Sequence, residues 1–295
     1  MDRIVVFLAR FVFWGLRALP LTGAAHLGRF FGWLAFVVDR RHRRVALVNL
    51  QAVFGREKSS KEIHALAREN FRRIGESFVC GVCTAGWTAE QLGAVLEIEG
   101  IEKLISSGET DPLPSRILAI GHFGNFEIFA SAACLLSGYR TATTYRAVKP
   151  EALNDLLLSY RESSDSMFFE RRRDAAKLKT VLKEGGIVLG LVSDQGGGPR
   201  GVQGPFLGIE CSTSPAPAVL ARRFNFPFMT AICYRTGLAR WRIEIGDEIP
   251  LREGGKPRTT QAITEDMNRA FERAVRRDPA NWFWVHNRWR LVEPR

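Results

Sequence analysis

The sequence contains few cysteines, and it has neither internal repeats nor low-complexity tracts. Five cysteines in 295 residues is a small and odd number, which argues against a secreted disulfide scaffold and favours a reducing compartment. The absence of repeats and biased tracts excludes solenoid, collagen-like and disordered chains. The remaining composition, with 46% hydrophobic and 25% charged residues, is typical of a chain that buries an ordinary core.

Acidic residues are scarce relative to basic ones, which gives the chain a net charge of +11. A charge of this sign can indicate nucleic-acid binding. However, residues 1–50 hold eight Arg and two Asp, so more than half of the excess charge lies where the chain is also most hydrophobic. Basic charge beside apolar helices is typical of a membrane surface. We therefore expect a membrane partner and no nucleic acid.

Two apolar stretches, Ile4–Leu19 and Ala24–Val38, open the chain. Each is shorter than the roughly 20 residues that a helix needs to cross a bilayer. Neither has the cleavage site of a signal peptide, and the basic run Arg40–Arg44 follows them instead of preceding them. We predict a membrane-associated helical segment over residues 1–45, with the basic run on the cytoplasmic side. The alternative is a pair of buried core helices.

Residues 46–295 alternate between β-rich and helical patterns, which predicts an α/β fold. We expect a single domain with a central, mostly parallel sheet flanked by helices, in which Asp111–Ser115 is the one loop break before the core. The predicted strands are Val95–Ile98, Ile117–Ile120, Thr141–Tyr145, Ile187–Val192, Phe228–Tyr234 and Trp241–Ile245. The predicted helices are Lys61–Cys80, Phe126–Leu136, Ala152–Arg161, Asp174–Lys183, Ser214–Phe224 and Thr260–Val275.

The segment RILAIGHFGNFE (residues 116–127) carries the strongest chemical signal. His122 follows an apolar strand and precedes a helix, and catalytic groups in α/β sheets lie at such edges. The positive end of the following helix disfavours imidazolium and keeps a neutral base available. Five residues on, the Glu127 carboxylate can fold back to accept from one imidazole nitrogen, while the other takes a proton from a hydroxyl. The alternative is a strand-end histidine that is bonded to a backbone carbonyl.

The segment GHFGNFE resembles the His-x4-Glu/Asp motif of the glycerolipid acyltransferases. Nearly the whole chain resembles the lipid A biosynthesis (late) acyltransferase branch of that superfamily. The segments GGIVLGLVSDQ (185–195), PFLGIECSTSPAPAVLARRFNFPFMTAICYR (205–235) and PANWFWVHNRWR (279–290) carry this wider resemblance. Glutamate at position 127, where glycerolipid relatives usually carry aspartate, also favours the lipid A branch.

The resemblance implies a reaction and a place for it. Such enzymes move a fatty acyl chain from an acyl carrier protein to a hydroxyl of the lipid A precursor, at the cytoplasmic face of the inner membrane. It implies that His122 and Glu127 are catalytic, and that Arg146 and Arg161 lie near the active site, where each can bind a phosphate. Direct transfer needs no metal, no cofactor and no covalent acyl-enzyme, because the histidine activates the acceptor itself.

Three other positions are candidates for substrate binding. Asp194 and Gln195 follow the buried strand Ile187–Val192 directly, so we expect them at the functional edge, where they orient the substrate or cap a loop. Asn125 can donate a hydrogen bond to a developing oxyanion, although a turn-forming role explains it as well.

The run 171–173 consists of three arginines. It is either a solvated face or a docking site for the acidic acyl carrier protein.

Other functions remain compatible with the same residues. The phosphatidylinositol-mannoside acyltransferases share the motif, so another glycolipid can be the acceptor. An acyl-thioester hydrolase is a closer alternative, because the same histidine can activate water. A non-enzymatic, basic membrane-binding protein is the alternative from a different class. Metal binding is disfavoured, because Cys80 and Cys83 lack a second pair of ligands.

Overall fold

The computed structural model describes residues 2–104, 113–136, 138–161 and 166–291. Its architecture is α/β, with a mostly parallel central sheet flanked by helices, as expected. The helices are α1 (Asp2–Arg17), α2 (Leu21–Val38), α3 (Arg40–Phe54), α4 (Ser60–Thr84), α5 (Ala89–Gly93), α6 (Ile128–Ser131), α7 (Glu151–Arg161), α8 (Ala175–Glu184), α9 (Ala216–Phe224) and α10 (Thr260–Arg277). The predicted loop break at 111–115 lies partly outside the described residues.

Within the described residues, seven strands form the central sheet, in the order β1-β9-β8-β2-β5-β3-β4. They are β1 (Leu96–Glu99), β2 (Arg116–Ile120), β3 (Arg140–Tyr145), β4 (Ser166–Glu170), β5 (Ile187–Val192), β8 (Phe228–Gly237) and β9 (Arg240–Ile245). Every neighbouring pair is parallel except β8 and β9, which form an antiparallel hairpin. Two small hairpins lie outside it, β6 (Val202–Phe206) with β7 (Ile209–Thr213), and β10 (Arg252–Glu253) with β11 (Lys256–Pro257).

Side chains of the central strands alternate between two hydrophobic layers. Ile117 and Ala119 of β2 belong to the layer beneath α3, α4 and α10, whereas Leu118 and Ile120 belong to the layer on the other face. This alternation follows from the two-residue period of a strand. Because both faces are covered, the central strands read as continuous apolar runs in the sequence, as is usual for parallel sheets.

One helix near the site and one strand of the central sheet differ from the predictions. The expected helix Phe126–Leu136 is in fact a single α-helical turn, α6, followed by a 3₁₀-helix at Ala132–Leu135. The first residues of that range belong to the turn after the histidine, in which the Ile128 N–H bonds the Asn125 carbonyl. Strand β4 was not predicted, because it is a short edge strand whose two buried residues, Phe169 and Glu170, give no alternating pattern.

Helix α2 packs closely on α4 through glycines. A Cβ at Gly28 would lie 2.6 Å from the Gly75 carbonyl oxygen, so the two helices meet backbone to backbone. Beside this contact, Arg29 of α2 pairs with Glu69 and Glu76 of α4 at 3.0 and 3.2 Å. Small residues allow such close approach of helices. The predicted division after residue 45 falls within α3, whose Val45 and Ala46 are both buried.

The outer faces of α1 and α2 are apolar and exposed. On α1, Phe7, Phe11 and Trp14 are 68%, 63% and 68% exposed, and on α2 the rings of Phe30 and Phe31 are about half exposed. Among the described residues, α2 is the one helix that is long and apolar enough to cross a membrane. Contiguous exposed apolar surface of this kind marks a membrane or protein interaction site.

The glycine contact between α2 and α4 predicts a specific loss of stability. Gly28→Val should lower the free energy of unfolding by about 1–3 kcal/mol, because the new side chain has to displace the α4 backbone. Gly23→Val is the matched control, because a Cβ at this position of the same helix meets nothing within 4 Å. Thermal unfolding of both variants in one detergent, followed by circular dichroism, measures the difference. Equal stability of the two variants would contradict the packing described for Gly28.

Candidate active site

The site lies where β2 and β5 end side by side. The strands are parallel neighbours, and Ile120 at the end of β2 is the Cα partner of Val192 at the end of β5. The Ser193 N–H bonds the Ile120 carbonyl at 2.9 Å and continues the ladder by one step. Because the carboxyl ends of both strands meet at one edge, the residues that follow them, His122 and Asp194, come together although 72 positions separate them in the chain.

Two glycines shape the turn that carries the histidine. A Cβ at Gly121 would lie 2.7 Å from the Phe123 ring and 3.2 Å from the Asp194 Cβ, so only glycine fits between them. Gly124 has a φ of +49°, and a Cβ there would lie 2.6 Å from the Cys233 carbonyl oxygen. Left-handed backbone and close approach both require glycine. The turn GHFGN therefore fixes the position of His122.

Asp194 holds His122 through both of its carboxylate oxygens. Oδ1 lies 2.8 Å from His122 Nδ1, and Oδ2 accepts from the His122 backbone N–H at 2.9 Å. The Trp282 indole N–H also donates to Oδ2, at 2.8 Å. An ionised carboxylate only accepts hydrogen bonds, so the imidazole proton lies on Nδ1. Nε2 therefore carries no proton, and its lone pair can act as a base.

The expected hydrogen bond between Glu127 and the imidazole is wrong. Asp194 occupies that position, and Glu127 instead binds Arg161, with Nε–Oε2 and Nη2–Oε1 distances of 3.0 and 2.6 Å. The physical reason is that the guanidinium offers two parallel donors that match the two carboxylate oxygens, whereas Nδ1 has one proton, which Asp194 already accepts. The acidic partner of the histidine therefore follows β5, the neighbouring strand in the sheet, and does not come from the segment that begins α6.

Charges around the pair shift both pKa values in ways that support a base. Burial opposes the charged imidazole, but the attraction and hydrogen bond of Asp194, together with the charge of Glu127, outweigh it and raise the pKa of His122. Burial also opposes the charge of Asp194, but His122 and the Trp282 indole stabilise the carboxylate and lower its pKa to about 2. Asp194 thus stays ionised while His122 titrates.

Three side chains surround the imidazole. The Phe126 ring meets it edge to face, with centroids 4.7 Å apart, and the Phe283 ring lies 5.5 Å away. The Gln195 amide nitrogen is 3.2 Å from Nδ1 and 3.3 Å from Nε2, so it packs over the face of the ring. The histidine is thereby held by contacts with two apolar rings and one hydrogen-bond donor.

A cavity of about 510 Å³ opens beside the histidine. Its mouth is polar, and the side chains there include His122, Glu127, Arg146, Arg161, Arg171 and Gln195. Its interior runs along one face of the sheet and is mostly apolar, lined for example by Leu118, Ile120, Ala133 and Val188. A largely apolar pocket with a few convergent polar groups is the usual form of a ligand site.

The cavity brings together most of the predicted site residues. Glu127, Arg146, Arg161 and Gln195 line its mouth with His122, and Asp194 lies behind the imidazole, where it is fully buried. Asn125 is also fully buried but does not line the cavity, and its side-chain oxygen and nitrogen have no partner among the described residues. Within the described ranges, no group of three or more His, Cys, Asp or Glu is placed to hold a metal ion.

Sequence reasoning missed the contribution of Trp282. Trp282 packs in an aromatic cluster with Trp284 and Trp289 near the C-terminus. Its indole also holds Asp194, a residue 88 positions away. A pattern within one segment carries no information about such a pair. Only a model of the sheet, with Asp194 at its edge, could have indicated which group the tryptophan contacts.

Comparison with known proteins identifies the family of the chain. A family model described as bacterial lipid A biosynthesis acyltransferase matches residues 1–291. The lipid A biosynthesis palmitoleoyltransferase of Escherichia coli (strain K12) is 24% identical over 284 residues, which is 95% of this chain and 89% of the relative. A lipid A biosynthesis acyltransferase of Shigella flexneri matches to the same extent. The family resemblance predicted from the sequence is thereby confirmed.

The electrostatics of the pair predict how the pKa of His122 responds to substitution. Asp194→Asn should lower that pKa, because burial then acts without the attraction that opposes it. Glu127→Gln should lower it less, since its charge contributes less than that of Asp194. Asp39→Asn, which removes the partner of the exposed His42, should leave it unchanged. NMR titration of the imidazole measures all three, and an unshifted pKa in Asp194→Asn would contradict the pairing.

Proposed function

The chain belongs to the family of bacterial lipid A biosynthesis acyltransferases, and we propose that it transfers a fatty acyl chain from an acyl-carrier-protein thioester to a hydroxyl of a lipid A precursor. The observation that carries this proposal is the His122–Asp194 pair at the mouth of an apolar cavity. The pair supplies a neutral base for a hydroxyl, and the cavity offers a place for a hydrocarbon chain.

In the first step, Nε2 of His122 takes the proton of the acceptor hydroxyl as its oxygen attacks the thioester carbonyl carbon. Asp194 keeps the imidazole in the required tautomer and stabilises the imidazolium that forms. The attack produces a tetrahedral intermediate with a negative oxygen. Gln195 and Arg146 line the same mouth, and their N–H groups are the donors that we assign to this oxygen.

In the second step, the intermediate collapses and the carbon–sulfur bond breaks. The imidazolium returns its proton to the sulfur of the carrier, which leaves as a thiol, and the acyl group remains on the acceptor as an ester. No additional reactant is needed, because the electrons of the carbon–sulfur bond leave with the sulfur and the proton of the hydroxyl ends on the thiol. The raised pKa of His122 suits the first step, because a stronger base takes the hydroxyl proton more readily.

Glu127 acts in this proposal through charge and through Arg161 rather than by touching the imidazole. Its carboxylate raises the pKa of His122 and also fixes the Arg161 guanidinium at the cavity mouth. A guanidinium held in this way can bind a phosphate of the glycolipid or of the carrier's phosphopantetheine arm. Arg146, which is exposed at the same mouth, is a second candidate for such a contact.

The N-terminal helices place the reaction at a membrane in this proposal. The exposed rings of α1 and α2 enter the lipid, and the glycolipid acceptor reaches the site from the same surface. The basic residues Arg40, Arg41 and Arg44 begin α3 directly after the apolar helices. By the positive-inside tendency, the active domain lies on the cytoplasmic side of the inner membrane, where the acyl carrier protein is available.

Product analysis tests the proposal and separates it from the hydrolase. Purified protein in lipid is incubated with acyl-carrier thioesters, with and without a tetra- or penta-acylated lipid A precursor, and the product masses are read. We expect the precursor to gain one acyl chain and little free fatty acid to appear. Fatty acid released at the same rate with or without the precursor would identify a hydrolase instead.

The assigned base predicts the effect of one substitution in this assay. His122→Ala should reduce acyl transfer by at least about 10²-fold, because general-base catalysis typically contributes 10²–10⁴-fold. His64→Ala is the control, since His64 lies exposed on α4, outside the cavity lining. Membrane association should be unchanged in both variants. Transfer by His122→Ala at a rate within twofold of the wild type would remove His122 from the mechanism.

A further inference from the structure

Gly190 lies inside β5, at a position where neither the backbone nor the neighbouring atoms require glycine. Its φ lies outside the left-handed region. A Cβ built there would lie 3.6 Å from Ile120 Cδ1 and 3.9 Å from the Ala142 carbonyl oxygen, which are ordinary van der Waals contacts. Glycine is unfavourable in a strand interior, and it often marks a site that a ligand approaches closely. The folded chain itself therefore does not account for glycine at this position.

The open side of Gly190 is the cavity. Leu189 and Leu191 belong to the hydrophobic layer on the other face of the sheet. Because side chains alternate along a strand, Val188, Gly190 and Val192 share the opposite face, and all three line the cavity. A side chain at position 190 would occupy space that now belongs to the cavity, between two positions that carry valine.

Position 190 lies between the rim of the cavity and its interior. Val192 ends β5 beside the catalytic residues, and a strand rises about 3.3 Å per residue, so Gly190 lies roughly 6.6 Å below that rim. Its Cα partners are Leu118 on β2 and Thr143 on β3. Val188 lies the same distance further in. A chain that enters beside His122 and follows β5 inward must pass Gly190 before it reaches Val188.

We propose that Gly190 determines the length of the acyl chain that the enzyme accepts. The inference rests on the proposed function, because it takes the hydrocarbon chain of the donor as the occupant of the cavity. The apolar interior of the cavity fits a hydrocarbon. Because this interior is continuous with the mouth at His122, a chain bound in it places the thioester carbon next to the imidazole. Glycine at this position leaves the passage open, so longer chains extend towards Val188 and beyond.

The test is the chain-length profile of variants at this position. Gly190→Val should lower kcat/KM for the longest accepted acyl carriers by at least about tenfold relative to short ones, since one methylene in an apolar pocket changes the rate about 10–200-fold. Gly190→Ala should shift the profile in the same direction by less. A homologous series of straight-chain acyl carriers, offered in competition with one acceptor, gives the profile directly.

Two further variants serve as a control and as a test in the opposite direction. Gly204→Val is the matched control, because Gly204 lies on β6 with nothing within 4 Å of its Cβ position, and the wild-type profile is expected. Leu118→Ala widens the cavity opposite Gly190 and should move the profile towards longer chains. If Gly190→Val proves inactive with every chain, the opposite shifts of Gly190→Ala and Leu118→Ala decide the question.

The outcomes distinguish this inference from the proposed function. If the wild-type protein transfers no acyl chain from the carrier to the glycolipid, the proposed function fails whatever position 190 does. If transfer occurs and Gly190→Val and Gly190→Ala keep the wild-type profile, the inference fails and the function stands. A shift towards short chains in both variants, with short-chain rates retained, supports it.

Discussion

The hydrogen bond between His122 Nδ1 and the Asp194 carboxylate is the interaction on which the rest of the site depends. It exists because β2 and β5 are parallel neighbours that end in register, so the residues after them face each other. A one-residue shift of either strand would turn all of its side chains to the other face of the sheet and separate the pair. Trp282 closes the arrangement from behind, because its indole satisfies the second carboxylate oxygen.

Burial of the His122–Asp194 pair affects both the stability of the carboxylate and the pKa of the imidazole. An ionised carboxylate that is fully buried is stable only when its oxygens accept hydrogen bonds, and Asp194 receives three. The same burial would lower the pKa of His122 if the carboxylate were absent. The site therefore balances desolvation against attraction, and the balance leaves a base that is stronger than a free imidazole.

Both the side chains next to the imidazole and the lining of the cavity suit the proposed reaction. Next to the imidazole, Phe126, Phe283 and Gln195 restrict access to the base. Further away, the mouth of the cavity is cationic and its interior is apolar, which suits a substrate with a phosphate at one end and a hydrocarbon at the other. The exposed rings of α1 and α2 extend the apolar character to the surface of the protein.

Six of the seven strands of the central sheet and most of the long helices could be predicted from the sequence, because their apolar runs and periodicity are local properties. Strand β5, for example, has the predicted bounds, Ile187–Val192. The position of Asp194 at the functional edge could be predicted too, since it follows that strand directly. Its pairing with His122 could not, because strand order decides it. The bond of Glu127 to Arg161 likewise depends on how α7 packs.

The pH dependence of kcat/KM for acyl transfer by the wild-type protein tests the central claim most directly. This quantity reports the pKa of the base in the free enzyme. A base must be neutral to accept a proton, and the pKa of His122 is raised above its usual 6.5. Activity should therefore fall as the pH drops through a midpoint above 6.5. A midpoint below 6.5, or no loss of activity on the acid side, would contradict the assignment of the His122–Asp194 pair as the reacting base.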